Sequence, residues 1–356
     1  MSFDSNLNKD NLIENIPVDE KSYNSLIHLL RKKTGLNFEY YNKTFIEKRI
    51  KSRMIRVPCK TLNQYYDFIS SNNEEVKKFI DGFTINYTFF FRDYDVFELF
   101  QDLFIQGLRV SRKDIKSNIR PESSKLVKFR TKSNAVKNFH RNRHLTEKPS
   151  RFYVDIFIFL NQLSYYKKMK GVKSTDNCIN IWSCPCATGE EPYSLAMILD
   201  NLETQVPRFP KYRIVASDIA PEAIKKAKIG IYTDDSMKEI SDYYENKYFS
   251  KQKTHFGHTN VIKENIKNKI EFVEEDVTKG HKMPYRYDII FCRYLLIYFN
   301  RENRHKFLKI IENRLNENGI LILGKTETLF DSWGSLQLVD SRNRIYLKSH
   351  SKLFQK

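Results

Sequence analysis

The sequence predicts an α/β protein in which a small N-terminal helical domain precedes a doubly wound, Rossmann-like sheet. Apolar residues recur at helical spacing between residues 20 and 100. From Asn180 onward, short apolar runs alternate with helical segments and end in loops rich in Gly, Asp and Pro. With 356 residues, 40% of them apolar and 14% aromatic, the chain can build two cores, which excludes a disordered chain or a disulfide-stapled miniprotein.

The opening residues, Met1 to Asn6, are polar and lack the apolar run of a signal peptide. The first helix sets Tyr23, Leu26, Ile27 and Leu30 at i, i+3, i+4 and i+7, with Gly35 following as a C-cap. Short helices continue to Phe100. The helix expected at Thr44 to Arg56 carries an apolar stripe of Phe45, Ile46, Ile50 and Met54. Lys48, Arg49, Lys51, Arg53 and Arg56 make its outer face cationic, either as a solvated surface or as a docking face for an acidic partner. Lys48, Arg49, Arg53 and Arg56 are the docking candidates.

Residues 101–170 read as a basic insertion, partly disordered. Between Arg109 and Arg151 there are 14 Lys/Arg against 3 Asp/Glu, so most of the net charge of +18 is local to this stretch. It is rich in Ser, Asn and Lys with weak apolar periodicity, and suits either a polyanion-binding tail or a solvated insertion. No apolar run approaches the roughly 20 residues needed to span a bilayer.

Residues 171–356 carry the sheet. Its strands are expected at Ile179 to Ser183, Tyr212 to Asp218, Lys269 to Glu274, Tyr287 to Arg293, Gly319 to Lys325, Leu336 to Asp340 and Arg344 to Lys348. Helices are expected at Glu190 to Leu202, Pro221 to Lys228 and Arg301 to Leu315. The five cysteines form no even framework and point to a reducing, cytoplasmic compartment. Their spacing is not that of a zinc site, so no metal is expected.

Ligands of such sheets bind beyond the carboxyl ends of the strands. The first strand runs into Ser183-Cys184-Pro185-Cys186-Ala187-Thr188-Gly189-Glu190, a loop of small residues closing on a helix start, where backbone can approach a ligand. It matches neither G-x-G-x-x-G nor a P-loop. Asp218 ends the second strand, placed either to accept hydrogen bonds from both ribose hydroxyls or to cap the helix after it. A ribose without a pyrophosphate loop indicates a nucleoside cofactor.

The stretch Asn180 to Ser183 through Cys186-Ala187-Thr188-Gly189-Glu190-Glu191-Pro192-Tyr193-Ser194 resembles the signature of the CheR-type chemotaxis receptor glutamate methyltransferases. Other blocks resemble the family in the same order. They are Thr84 to Arg92 (T-x-N-x-T-x-F-F-R), Ala216 to Ile219, Ala227 to Tyr232 (A-x-x-G-x-Y), Phe291 to Phe299 (F-C-R-N-x-x-I-Y-F) and Leu323 to Glu327 (G-H-S-E). Together they span nearly the whole chain except the basic insertion.

The resemblance implies S-adenosylmethionine as cofactor and glutamates on the cytoplasmic helical region of chemoreceptors as acceptors. Cofactor contacts carried over are Asn86, Thr88 and Arg92, with Arg92 suited to the methionine carboxylate, then Glu190, Asp218, Asp276, Val277, Arg293 and Tyr294. A glutamate is ionised at neutral pH, so no general base is required and positioning carries catalysis. Arg293 and Tyr298 are the candidates for a role at the reacting centre. This chain departs from the family at Tyr294, in place of Asn, at Lys325-Thr326, in place of His-Ser, and at Tyr87, in place of an acidic residue. Residues 232–269 correspond to a small antiparallel subdomain that binds a receptor tail in some members; no clear hairpin turn is legible there, and no such tether is expected. Two other readings are a nucleic-acid methyltransferase using the 109–151 stretch, and a non-catalytic adaptor in which Tyr294 blocks the site.

Overall fold

Helix α1 (Glu20–Thr34) begins where the Asp19 carboxylate accepts the Ser22 amide and stops at Gly35, which takes the left-handed conformation a C-cap needs. This computed structural model describes residues 17–83, 87–113, 178–205, 209–254, 257–329 and 332–348. Asn86 and everything in the basic stretch beyond Lys113 lie outside the described residues.

Helices α2 (Lys43–Met54), α3 (Leu62–Ser71) and α4 (Asn73–Phe83) complete the N-terminal domain. Ile46, Ile50 and Met54 of the expected stripe are buried, while Phe45 is only partly so. Helix α5 (Tyr94–Lys113) runs across the boundary expected at residue 100, because Phe97, Phe100, Leu103 and Phe104 share a core with the sheet domain.

The main sheet contains β1 (Cys178–Ser183), β2 (Lys211–Asp218), β6 (Ile270–Glu274), β7 (Tyr287–Cys292), β8 (Leu315–Leu323), β9 (Ser332–Trp333), β10 (Leu336–Asp340) and β11 (Ile345–Lys348). Its order is β6-β2-β1-β7-β8-β11-β10-β9, parallel from β6 to β8 and antiparallel beyond. Helices α6 (Glu190–Gln205), α7 (Pro221–Ile229) and α9 (Arg301–Arg314) connect its parallel strands. All seven expected strands are present, although β8 starts at Leu315 rather than Gly319. The order reverses between β1 and β7, which opens a crevice at their carboxyl ends.

One expectation needs correction. Residues 249–262, read as lacking a hairpin, pair antiparallel as β4 (Phe249–Thr254) and β5 (Gly257–Ile262) behind α8 (Asp242–Tyr248). With β3 (Ile231–Tyr232) they form a second sheet of order β3-β5-β4. Every residue of β4 after Phe249 is exposed, so the strand has no apolar alternation for a sequence reading to find.

The apolar core joins the two domains. Leu26, Leu30, Phe79 and Phe83 of the helical domain belong to one buried cluster with Trp182, Ile290, Phe307 and Leu321. A short backbone seam reinforces the contact, with the Asn42 amide donating to the Tyr298 carbonyl at 2.8 Å and the Asn300 amide to the Tyr40 carbonyl at 2.9 Å.

Candidate active site

The loop after β1 can turn closely because Gly189 has φ +97°, and a Cβ there would stand 2.9 Å from the Ala227 Cβ and 3.0 Å from the Tyr232 hydroxyl. That hydroxyl donates to the Thr188 carbonyl at 2.7 Å. Ala227 and Tyr232 therefore shape the loop from below, which gives the A-x-x-G-x-Y block a physical function. Asp218 holds the same loop from the side. Its two carboxylate oxygens accept the Ala187 amide at 2.8 Å and the Ala220 amide at 3.0 Å. Burial raises its pKa although these amides oppose the shift.

A cleft of about 610 Å³, counted with its open mouth, lies at the switch point. It is lined by Pro185 and Ala187 after β1, Asp218 and Ile219 after β2, Glu275 to Val277 after β6, and Tyr294, Leu295 and Tyr298 after β7. Tyr41, Phe45 and Phe83 of the helical domain roof it. This position at the strand ends and this mixture of carboxylates and aromatic rings suit a nucleoside-bearing ligand. Asp276 accepts the Thr278 amide and hydroxyl through Oδ1, while Oδ2 is buried without a partner among the described residues. An unused acceptor on the cleft wall fits the exocyclic amine of an adenine.

Beside it, Glu275 is anchored from several sides. His281 Nδ1 lies 2.5 Å from Glu275 Oε1, the Lys282 amide donates to Oε2 at 2.9 Å, and Ser217 adds a hydrogen bond. Burial alone would raise the Glu275 pKa, but these bonds hold it below the ordinary value. His281 also meets the Tyr287 hydroxyl and stacks on Trp182 with centroids 4.1 Å apart. None of this histidine, tyrosine and tryptophan support was singled out from the sequence, since the residues are scattered and only fold geometry joins them.

The loop after β7 is pinned by Glu327. Its carboxylate accepts the main-chain amides of Tyr294, Leu296 and Gly324, each at 2.7 Å, and burial raises its pKa in spite of them. Arg293 does not line the cleft. It is buried between Glu191, at 2.8 Å, and Asp93, and so ties the linker of residues 87–93 to α6. The Phe90 amide donates to the Ser236 carbonyl and the Phe91 amide to the Ser194 hydroxyl, which lays this linker along the sheet domain. Thr88 sits half-buried within it, and Arg92 lies over the Tyr294 ring, 3.7 Å from its centroid.

Asp218, Asp276, Val277, Tyr294 and Tyr298 thus share one cleft, with Arg92 at its Tyr294 side. Glu190 stands apart, its buried carboxylate accepting from Thr188 at 2.7 Å and Ser236 at 3.1 Å.

The cationic helix needs a second correction. Arg53 does not face outward: its Nε and Nη2 bind Glu75 at 2.8 and 2.6 Å, with only 12% of its side chain exposed. A fork of donors meets a buried carboxylate on α4, a pairing that a stripe-and-face reading of α2 alone cannot show. Arg49 is half-buried over the Phe45 ring, 4.9 Å from its centroid. Lys48 and Arg56 are exposed as expected.

A mostly parallel sheet whose order reverses at the cleft, with an acidic residue ending β2 and no pyrophosphate loop after β1, fits the class of S-adenosylmethionine-dependent methyltransferases. Residues 150–345 match the CheR methyltransferase SAM-binding domain and residues 21–84 the CheR methyltransferase all-alpha domain. The chain therefore belongs to the CheR methyltransferase family. It is similar to a chemotaxis protein methyltransferase of Borreliella burgdorferi, 27% identical across 91% of this chain and 93% of the relative. A Vibrio cholerae chemotaxis protein methyltransferase is 25% identical across 84% and 82%, and that of Escherichia coli 34% identical across 41% and 51%.

Proposed function

We propose that this cleft methylates glutamate side chains on the cytoplasmic helical region of chemoreceptors, producing methyl esters for sensory adaptation. The observation that carries the acceptor's identity is Arg49. It is a half-buried guanidinium over the ring of Phe45, which lines the cleft wall with Tyr298, and no carboxylate pairs with it among the described residues. A cation placed this way favours an anionic acceptor, and Lys48 and Arg56 extend the attraction along the helix surface.

When bound, S-adenosylmethionine supplies an electrophilic methyl group on a sulfonium sulfur, and the sulfur keeps the electron pair as an acceptor oxygen forms the new C–O bond. The protein's part is placement. Asp276 would offer its unused oxygen to the adenine edge, Asp218, which holds the Ala187 loop, would take the ribose, and Arg92 would take the methionine carboxylate. Tyr298 closes the wall on the acceptor side, where burial raises its pKa and keeps the phenol neutral. A carboxylate acceptor has already lost its proton at neutral pH, so the cleft needs no base. The aromatic roof excludes water, which strengthens the electrostatic steering of the acceptor.

The adaptor reading gains no support from the relatives, which are named as methyltransferases. A nucleic-acid acceptor has none from the cleft or the relatives. Incubation of the protein with methyl-labelled S-adenosylmethionine and receptor-containing membranes tests the proposal. Base-labile label released as methanol is expected; label that resists base would mean a different acceptor atom.

A further inference from the structure

Tyr294 stands where the family pattern has Asn, and its surroundings are built for the larger side chain. A Cβ on Gly324 would lie 2.9 Å from Tyr294 Cδ1 and 3.0 Å from Cε1, so the glycine makes the space the ring occupies. The Tyr294 backbone is held at φ +60° by the Glu327 carboxylate, which accepts its amide at 2.7 Å. At the far end of the ring, the hydroxyl donates to Asp93, the same carboxylate that receives Arg293. The ring is therefore fixed at its root, along one edge and at its tip.

On this ring lies Arg92. Its guanidinium carbon is 3.7 Å from the Tyr294 centroid, and Nη1 donates to the Tyr87 carbonyl at 2.7 Å. Among the described residues no carboxylate pairs with Arg92, although Asp93 is next to it in the chain and is spent on Arg293 and Tyr294. The arrangement holds a guanidinium by its flat face and by one nitrogen, and among the described residues the rest of its donor fork has no hydrogen-bond partner.

We propose that Tyr294 is a positioning residue that holds Arg92, by stacking, in the orientation that receives the cofactor's methionine carboxylate. The stack fixes the plane of the guanidinium, and a fixed plane is what two parallel hydrogen bonds to a carboxylate require. Asp93 contributes twice, by anchoring the phenol and by keeping its own charge away from Arg92. This inference rests on the reading that Arg92 contacts that carboxylate.

Two ligands separate the possibilities by calorimetry. S-adenosylhomocysteine carries the carboxylate, and 5′-methylthioadenosine keeps the adenosine and thioether without the amino-acid end. Tyr294→Leu is expected to weaken S-adenosylhomocysteine about ten-fold while leaving methylthioadenosine within about two-fold. Tyr294→Phe, which keeps the stacking face, is expected to stay within about three-fold for both. In an Arg92→Gln background, Tyr294→Leu should cost S-adenosylhomocysteine nothing more. Equal weakening of both ligands by Tyr294→Leu, or no weakening, overturns the proposal. If Arg92→Gln itself leaves the preference between the two ligands unchanged, the contact of Arg92 with the carboxylate is what fails. Should Tyr294→Leu not fold, as judged by its urea transition, Tyr294→Met poses the same question with a side chain that fills the space more pliably.

Discussion

The Glu327 carboxylate accepts the main-chain amide of Tyr294 at 2.7 Å across 33 residues of sequence, and so one side chain sets the path of the loop that walls the cleft. The same carboxylate takes the Leu296 and Gly324 amides, and it is 2% exposed. Glu327→Gln keeps the shape but presents an amide nitrogen to donors. The expected cost is about 1–3 kcal/mol, read from urea unfolding, together with weaker binding of S-adenosylhomocysteine as the loop loosens. Unchanged stability would show that the amides find other acceptors.

Arg53 and Lys48 lie five positions apart on α2 and should behave in opposite ways. Arg53→Ala leaves Glu75 charged and buried, so unfolding in urea should show a loss of about 3–5 kcal/mol. Lys48→Glu and Arg56→Glu should stay within about 0.5 kcal/mol of the parent while lowering methyl transfer to receptor membranes. A mild effect of Arg53→Ala would mean that Glu75 is satisfied without it.

The two aspartates of the cleft are separable by the same calorimetric titration. Asp276→Asn keeps an oxygen for the Thr278 amide but replaces the unused acceptor with an amide nitrogen, and should weaken S-adenosylhomocysteine by about ten-fold with little change in stability. Asp218→Ala frees the Ala187 and Ala220 amides as well, and should lower both affinity and the urea midpoint. If Asp276→Asn binds normally, the unused oxygen does not face the adenine.

Glu275 gives a pH signature. Its folded carboxyl titrates below the ordinary 4.5. Above that value both folded and unfolded states are ionised, and the stabilisation is complete. As pH falls, the unfolded chain takes up protons first, and the stabilisation disappears as pH passes through the lower folded value. Glu275→Gln removes this dependence, so the difference in urea midpoint between the parent and the variant should shrink as pH falls below the ordinary glutamate value of 4.5. A difference that stays constant would place the bonds to Glu275 elsewhere.

Much of the architecture could be read from the chain because its strands are short apolar runs with turn residues after them. Ile179 to Ser183 and Tyr287 to Cys292 are nearly all buried and could hardly be anything else. Asp218 was legible for the same reason, as a carboxylate at a strand end. The hairpin of β4 and β5 was not, because Ser250 to Thr254 are polar and exposed throughout. Arg53 misled for a different reason. Its partner Glu75 comes from another helix, and helical periodicity assigns a face without saying what packs against it. Glu327 was visible as part of a motif, but its work is done on backbone amides, which leave no mark on the residues that carry them.

The buried cluster that runs from Leu26 and Phe79 through to Ile290 and Leu321 means that the helical segment and the sheet segment are separate as sequence families but one body as a solid. Cutting the chain between them would expose a dry face on each half, and neither half would keep the roof and floor of the cleft in register. The described parts should melt in a single cooperative transition, with Phe83 and Tyr298 losing their order at the same temperature.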